Sequence, residues 1–160
     1  MGFSLVGLLI GLAVLAPNVL LLAFPPAGGI PKLSEAGIVF TVLERTGQVG
    51  CLGLLVASGG VPLSGWLLGS SACILIYWAL WARYLARGRR FGDLYASLWM
   101  IPLPMAVFPV LAFAFATLWL HSPWLGLAVA ALAVGHLSNS WQVRRGLRAG
   151  SPRGRSAPGR

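Results

Sequence analysis

A carboxylate, a guanidinium and an imidazole stand inside otherwise apolar segments of this chain. Glu44 and Arg45 are adjacent within the apolar segment 36–58, and His136 lies within the apolar segment 123–143. Ionisable side chains are costly at membrane depth, and they therefore mark sites of substrate, ion or proton handling. A carboxylate and an imidazole can act as acid and base when their pKa values are separated. Glu44 and His136 are the candidate catalytic pair.

Polar residues from different segments fall at one depth. We count residues at 1.5 Å each from the end of every segment that lies on the predicted cytoplasmic side. All of these residues then lie about 8 to 13 Å below the membrane boundary on that side. The members of this layer are Asn18, Glu44, Tyr77, Pro102 and His136. The alignment predicts a polar pocket that opens toward one end of a helix bundle.

Helical spacing adds two side chains to the layer, because Gln48 lies one turn after Glu44 and Asn139 shares a face with His136. In this interpretation Arg45 holds an anionic group. The candidate ligand-binding residues are Asn18, Arg45, Gln48, Tyr77 and Asn139. We expect Glu44 and Arg45 to form a coupled unit with polar groups of the first and fifth segments.

Each charged residue also has a structural interpretation. Glu44 and Arg45 can neutralise each other as a structural ion pair, and His136 can be a hydrogen-bonded core residue. A metal site built on Glu44 and His136 needs at least one further ligand, which the sequence does not offer. We therefore expect neither a metal nor a cofactor.

Five long apolar segments position these residues. The chain of 160 residues is 58% hydrophobic and only 9% charged, which leaves too little polar surface for a soluble protein. The sequence predicts an all-α integral membrane protein whose domain, residues 1–143, spans the membrane five times. The predicted spans are 3–24, 36–58, 62–82, 94–121 and 123–143.

Short turns and prolines shape the bundle. Tight turns predict antiparallel neighbours on either side of residues 59–62 and 121–123. Pro102, Pro104 and Pro109 cannot all lie in an unbroken helix, so carbonyl groups should be freed near the polar layer. Gly69 should mark a close helix contact, because small residues let helix backbones approach in lipid.

The basic residues predict the orientation. Lys32, the arginines of the loop 83–90 and those of 144–160 fall on one side of a five-span chain. The positive-inside rule then places the N-terminus outside and the C-terminus in the cytoplasm. We expect residues 144–160 to be a disordered basic cytoplasmic tail. The expected location is the plasma (inner) membrane of a bacterial cell, with a multi-pass topology.

Most of the basic residues behind the net charge of +9 lie in one loop and this tail. Such a distribution favours contact with anionic lipid headgroups over nucleic-acid binding. The expected partners are therefore the lipid bilayer, with anionic headgroups at the Arg-rich loop and tail. A membrane-protein partner or a homo-oligomer is a further expectation, and nucleic acid is not expected.

Three functional classes are compatible with the sequence, which has no phosphate-binding loop, dinucleotide motif or zinc helix. The favoured one binds or helps to move a small molecule or lipid headgroup in the polar pocket. The second is an intramembrane enzyme that acts on an amphiphilic or isoprenoid-like substrate through Glu44 and His136. The third is a structural accessory subunit of a membrane complex.

Overall fold

The computed structural model describes residues 2–31 and 36–149, and every helix or strand named in this part of the chain is a helix. It contains five α-helices and one short 3₁₀ segment, Phe91–Tyr95. The α-helices are α1 (Leu5–Ala23), α2 (Ile38–Val56), α3 (Trp66–Ala86), α4 (Pro104–Leu120) and α5 (Pro123–Ala149). The predicted all-α class is confirmed.

Three of the described helices, α1, α2 and α3, are long and apolar enough to cross a membrane. Helix α4 is apolar but shorter. Large hydrophobic side chains cover much of the outer surface: Leu22 is 83% exposed, Ile38 75% and Leu68 76%. Exposed large apolar side chains in this number are unusual for a soluble monomer, and they suggest a membrane protein.

Helix α4 begins ten residues later than the predicted span 94–121. Residues before a proline avoid the helical conformation, and proline itself is favoured in the first helical turn. Leu103 is accordingly non-helical, and Pro104 opens the helix. Pro109 lies inside α4 and is buried.

Helix α5 extends beyond the predicted span 123–143 and ends at Ala149. The first residues of the predicted tail, 144–149, are therefore helical. The remainder of that tail and Lys32 lie outside the described residues.

The helices alternate in direction. Ser4 N–H donates to the Val56 carbonyl at 2.8 Å, and the Trp119 indole donates to the Pro62 carbonyl at 2.8 Å. These contacts gather the start of α1, the end of α2, the start of α3 and the end of α4 at one end, here the turn end. The opposite end, here the basic end, carries Arg83 in the last turn of α3, the arginines of residues 87–90 and those of residues 144–148.

Helix pairing follows chain order only in part. Helix α2 packs mainly against α5, and α3 mainly against α4. Although α2 and α3 are joined by the short connection 57–65, the main packing of each is against another helix. The expectation of neighbours across a turn therefore holds better for α4 and α5, which pack against each other.

Helix α1 changes partner along its length. Near the turn end it packs against α2, where Cβ atoms added at Gly7 and Gly11 would strike Leu55 and Leu52. Toward the basic end it contacts α3 instead: the Trp78 indole donates to the Ala13 carbonyl at 2.9 Å. The two helices α1 and α2 therefore separate toward the basic end and leave a cleft between them.

Candidate functional site

The site is built on the close contact of α2 with α5. A Cβ added at Gly47 would lie 2.7 Å from the Cα atom of Leu132, and one at Gly135 would lie 2.8 Å from the Cα atom of Glu44. Each helix thus supplies one glycine against the backbone of the other, as is common where helices pack through small residues. This approach brings the side chains of Glu44 and His136 within hydrogen-bonding distance.

Glu44 is bound by two side chains of α5. His136 Nδ1 lies 2.7 Å from one carboxylate oxygen of Glu44, and Asn139 Nδ2 donates to the other at 2.6 Å. Residues three apart on a helix share a face, so one side of α5 can contact both oxygens. The predicted candidate catalytic pair and one predicted ligand-binding residue are thereby brought together.

The pair is neither sealed nor fully open. The side chains of His136 and Glu44 are 31% and 24% exposed. When Glu44 is ionised, Nδ1–H of His136 donates to it, and Nε2 can act as an acceptor in the neutral imidazole. No hydrogen bond to the described residues engages Nε2. The arrangement can therefore bind a ligand donor or accept a proton at Nε2.

A cavity of about 560 Å³ lies beside this pair, in the cleft between α1 and α2. Six of the seven predicted site residues line it: Asn18, Glu44, Arg45, Gln48, Tyr77 and His136. The seventh, Asn139, contributes through its hydrogen bond to Glu44. Tyr77 is buried at 4% exposure, whereas Asn18 is exposed. Four of the residues predicted to share one depth, contributed by α1, α2, α3 and α5, therefore line one cavity.

Arg45 is oriented differently from the sequence expectation. It is exposed and lines the cavity, but no described carboxylate lies within ion-pair distance of its guanidinium. Residues adjacent on a helix point about 100° apart, so Arg45 and Glu44 face different directions. Glu44 is coupled to the fifth helix, as expected, but through His136 and Asn139 and without Arg45.

A second cavity, of about 120 Å³, continues from the first, because Asn18, Tyr77 and His136 line both. Trp81, Tyr95 and Ser140 add indole and hydroxyl groups to its wall. The Trp81 indole nitrogen is buried and has no partner among the described residues. Sequence reasoning did not include Trp81 or Tyr95, since nothing in the local pattern distinguishes them from aromatic residues at a membrane boundary.

The prolines have separate positions. Pro109 lines the large cavity, whereas Pro102 lines a different cleft near Trp141 and so does not belong to the polar layer as predicted. Pro17 lacks an N–H group, which leaves the Ala13 carbonyl without its helical donor. Trp78 supplies the missing donor. The sequence could have shown that Pro17 leaves the Ala13 carbonyl without a donor, but it could not have shown that Trp78 supplies one.

Among the described residues, no group of three histidine, cysteine, aspartate or glutamate side chains is placed to hold a metal ion. Comparisons with protein-family models, curated proteins and solved structures found no match to this chain.

Proposed function

We propose that this chain is a multi-pass membrane protein that binds, or helps to move, a small molecule or lipid headgroup in the cavity between α1 and α2. The protein would span the plasma (inner) membrane of a bacterial cell five times, with the basic end in the cytoplasm. Anionic headgroups would contact the arginines of that end. A homo-oligomer or a membrane-protein partner is compatible with this arrangement.

The observation that carries the proposal is the Glu44–His136–Asn139 cluster beside an open cavity. Polar groups in hydrocarbon are retained where they serve a ligand or one another. Here the cluster lines a space of about 560 Å³, within the range of small-molecule sites. Tyr77 and Gln48 add hydrogen-bonding groups to the same wall.

The alternative is an intramembrane enzyme acting on an amphiphilic or isoprenoid-like substrate. The contact of 2.7 Å between His136 Nδ1 and Glu44 favours it, because a carboxylate that orients an imidazole leaves Nε2 to act as a base. In this mechanism His136 Nε2 would take the proton from the substrate and Glu44 would stabilise the resulting imidazolium. A third role, as a structural accessory subunit, is favoured by the internal bonding of both Glu44 oxygens.

The ligand proposal is tested by comparing the molecules that co-purify with the wild-type protein and with Glu44→Gln and His136→Ala. Mass spectrometry of extracts should find a compound with the wild type that both variants lose. Gel filtration and circular dichroism check that each variant remains folded. If the folded variants co-purify with the same compounds as the wild type, the result would contradict the proposal and favour the structural role.

The topology is tested with reporter fusions after Gly60 and after Arg148. Five spans with the basic end inside place these two points in opposite compartments. A fusion after Gly60 should report the outside, and one after Arg148 the cytoplasm. The same compartment for both fusions would rule out the five-span arrangement.

A further inference from the structure

The cavity between α1 and α2 is lined by two chemically different kinds of side chain. Polar residues line it, among them Asn18, Glu44, Gln48 and His136, together with apolar side chains of α1 and α4, including Val19, Leu22, Val110 and Phe113. A ligand that satisfies both kinds has a polar group and an apolar chain. A purely polar solute would leave the apolar side chains without a partner.

The mouth of the cavity opens sideways. Val19 is 62% exposed and Leu22 83% exposed at its rim, and Arg45 is exposed on the opposite side. Both bounding helices are long and apolar enough to cross a membrane. In the proposed membrane orientation the mouth therefore faces lipid, and a ligand would enter from the bilayer.

Arg45 gives the mouth its charge. Arg45 is the one lysine or arginine on the described lining of the cavity. Glu44, the nearest acidic residue in sequence, is already bound by His136 and Asn139. A guanidinium at membrane depth favours an anionic partner, and it binds phosphate or carboxylate through paired hydrogen bonds.

We propose, on the basis of the proposed binding function, that the ligand is an anionic amphiphile that enters laterally through the cleft between α1 and α2. Its phosphate or carboxylate binds Arg45, and its apolar chain leaves the cavity over Val19 and Leu22. Polar groups next to the anion reach Gln48 and His136. The remaining chain stays in the bilayer, so the cavity needs to enclose only the head and the first part of the chain.

The test uses the full-length protein in neutral maltoside micelles, with native mass spectrometry to count bound dodecyl phosphate. Dodecyl trimethylammonium has the same chain with the opposite charge, and inorganic phosphate has the head without the chain. We expect the protein to retain dodecyl phosphate stoichiometrically and to retain neither dodecyl trimethylammonium nor inorganic phosphate. Arg45→Gln should lower its affinity about tenfold or more, because a charge-assisted bond is lost.

Matched variants separate the site from general effects. Arg87→Gln removes an exposed arginine at the basic end, where headgroups would bind the surface outside any cavity, and it should lower the affinity for dodecyl phosphate much less than Arg45→Gln does. Leu22→Trp narrows the mouth and should weaken binding, whereas Leu68→Trp alters an equally apolar position on α3, outside the cavity lining, and should not. Circular dichroism confirms that each variant is folded.

Any of three results would overturn this inference. Equal retention of dodecyl phosphate and dodecyl trimethylammonium, or no effect of Arg45→Gln, excludes an anionic ligand at Arg45. Equally tight binding of inorganic phosphate, with no effect of Leu22→Trp, excludes the apolar chain and the lateral route. In each case a co-purified compound that still depends on Glu44 and His136 leaves the proposed function intact, while the loss of that dependence removes the proposed function itself.

Discussion

The α2–α5 and α3–α4 helix pairs are both closely packed, but they use glycine differently. In the first pair, Gly47 and Gly135 each face the backbone of the opposite helix. In the second pair, Gly69 faces the ring of Phe115, and the Ser70 hydroxyl donates to the Ala112 carbonyl at 3.0 Å. One contact is backbone on backbone, and the other includes a side chain that can rotate.

This difference determines what each pair can hold. Because the backbones of α2 and α5 are in contact, the side chains of Glu44 and His136 are close enough to form a hydrogen bond. This contact produces the polar cluster beside the cavity. The α3–α4 contact includes aromatic side chains, because the rings of Trp66 and Phe115 are stacked with their centroids 6.4 Å apart. The first pair is suited to a site, and the second to support of the bundle.

The largest effect should follow from Gly135→Ala. The new methyl group would meet the Glu44 backbone, which cannot rotate away, so we expect a loss of about 3 kcal/mol or more in the free energy of unfolding. Gly69→Ala is the matched control, and it should change stability by about 1 kcal/mol or less because Phe115 can shift. Denaturation in detergent measures both. Equal losses in the free energy of unfolding would show that the α2–α5 and α3–α4 contacts respond in the same way to an added methyl group.

The second effect concerns the coupling of Glu44 with His136. Removing either partner leaves the other partly buried without its hydrogen bond, so Glu44→Ala and His136→Ala should not be additive. A double-mutant cycle on thermal stability should give a coupling of about 1 to 3 kcal/mol. Additive losses would mean that the contact contributes nothing to the packing of α2 on α5.

A smaller effect should follow from Trp78→Phe, which removes the indole donor to the Ala13 carbonyl freed by Pro17. Loss of one hydrogen bond should destabilise the protein by about 1 kcal/mol. The exposed Trp124 provides the control, and Trp124→Phe should have no measurable effect. If Trp78→Phe is equally silent, α1 does not depend on α3 for its position, and the cleft has another cause.

The smallest effect should be the coupling of Glu44 with Arg45. These side chains point in different directions, and Glu44 already has two partners on α5. The double-mutant cycle of Glu44→Ala with Arg45→Gln should be additive within about 0.5 kcal/mol. A larger coupling would restore the ion pair that the sequence first indicated, and it would weaken the assignment of Arg45 to a ligand.

The sequence by itself determined the helical class, the approximate positions of the helices and the shared depth of Asn18, Glu44, Tyr77 and His136. These properties depend on hydropathy and on the constant rise per residue, which can be read along a single chain. Only the tertiary structure decided that α2 pairs with α5, that Asn139 and His136 both bind Glu44, and that Arg45 faces the cleft. Helix pairing depends on how small residues on two helices that are distant in sequence fit together in space. The positions of Gly47 in α2 and Gly135 in α5 do not by themselves show that these two helices are partners.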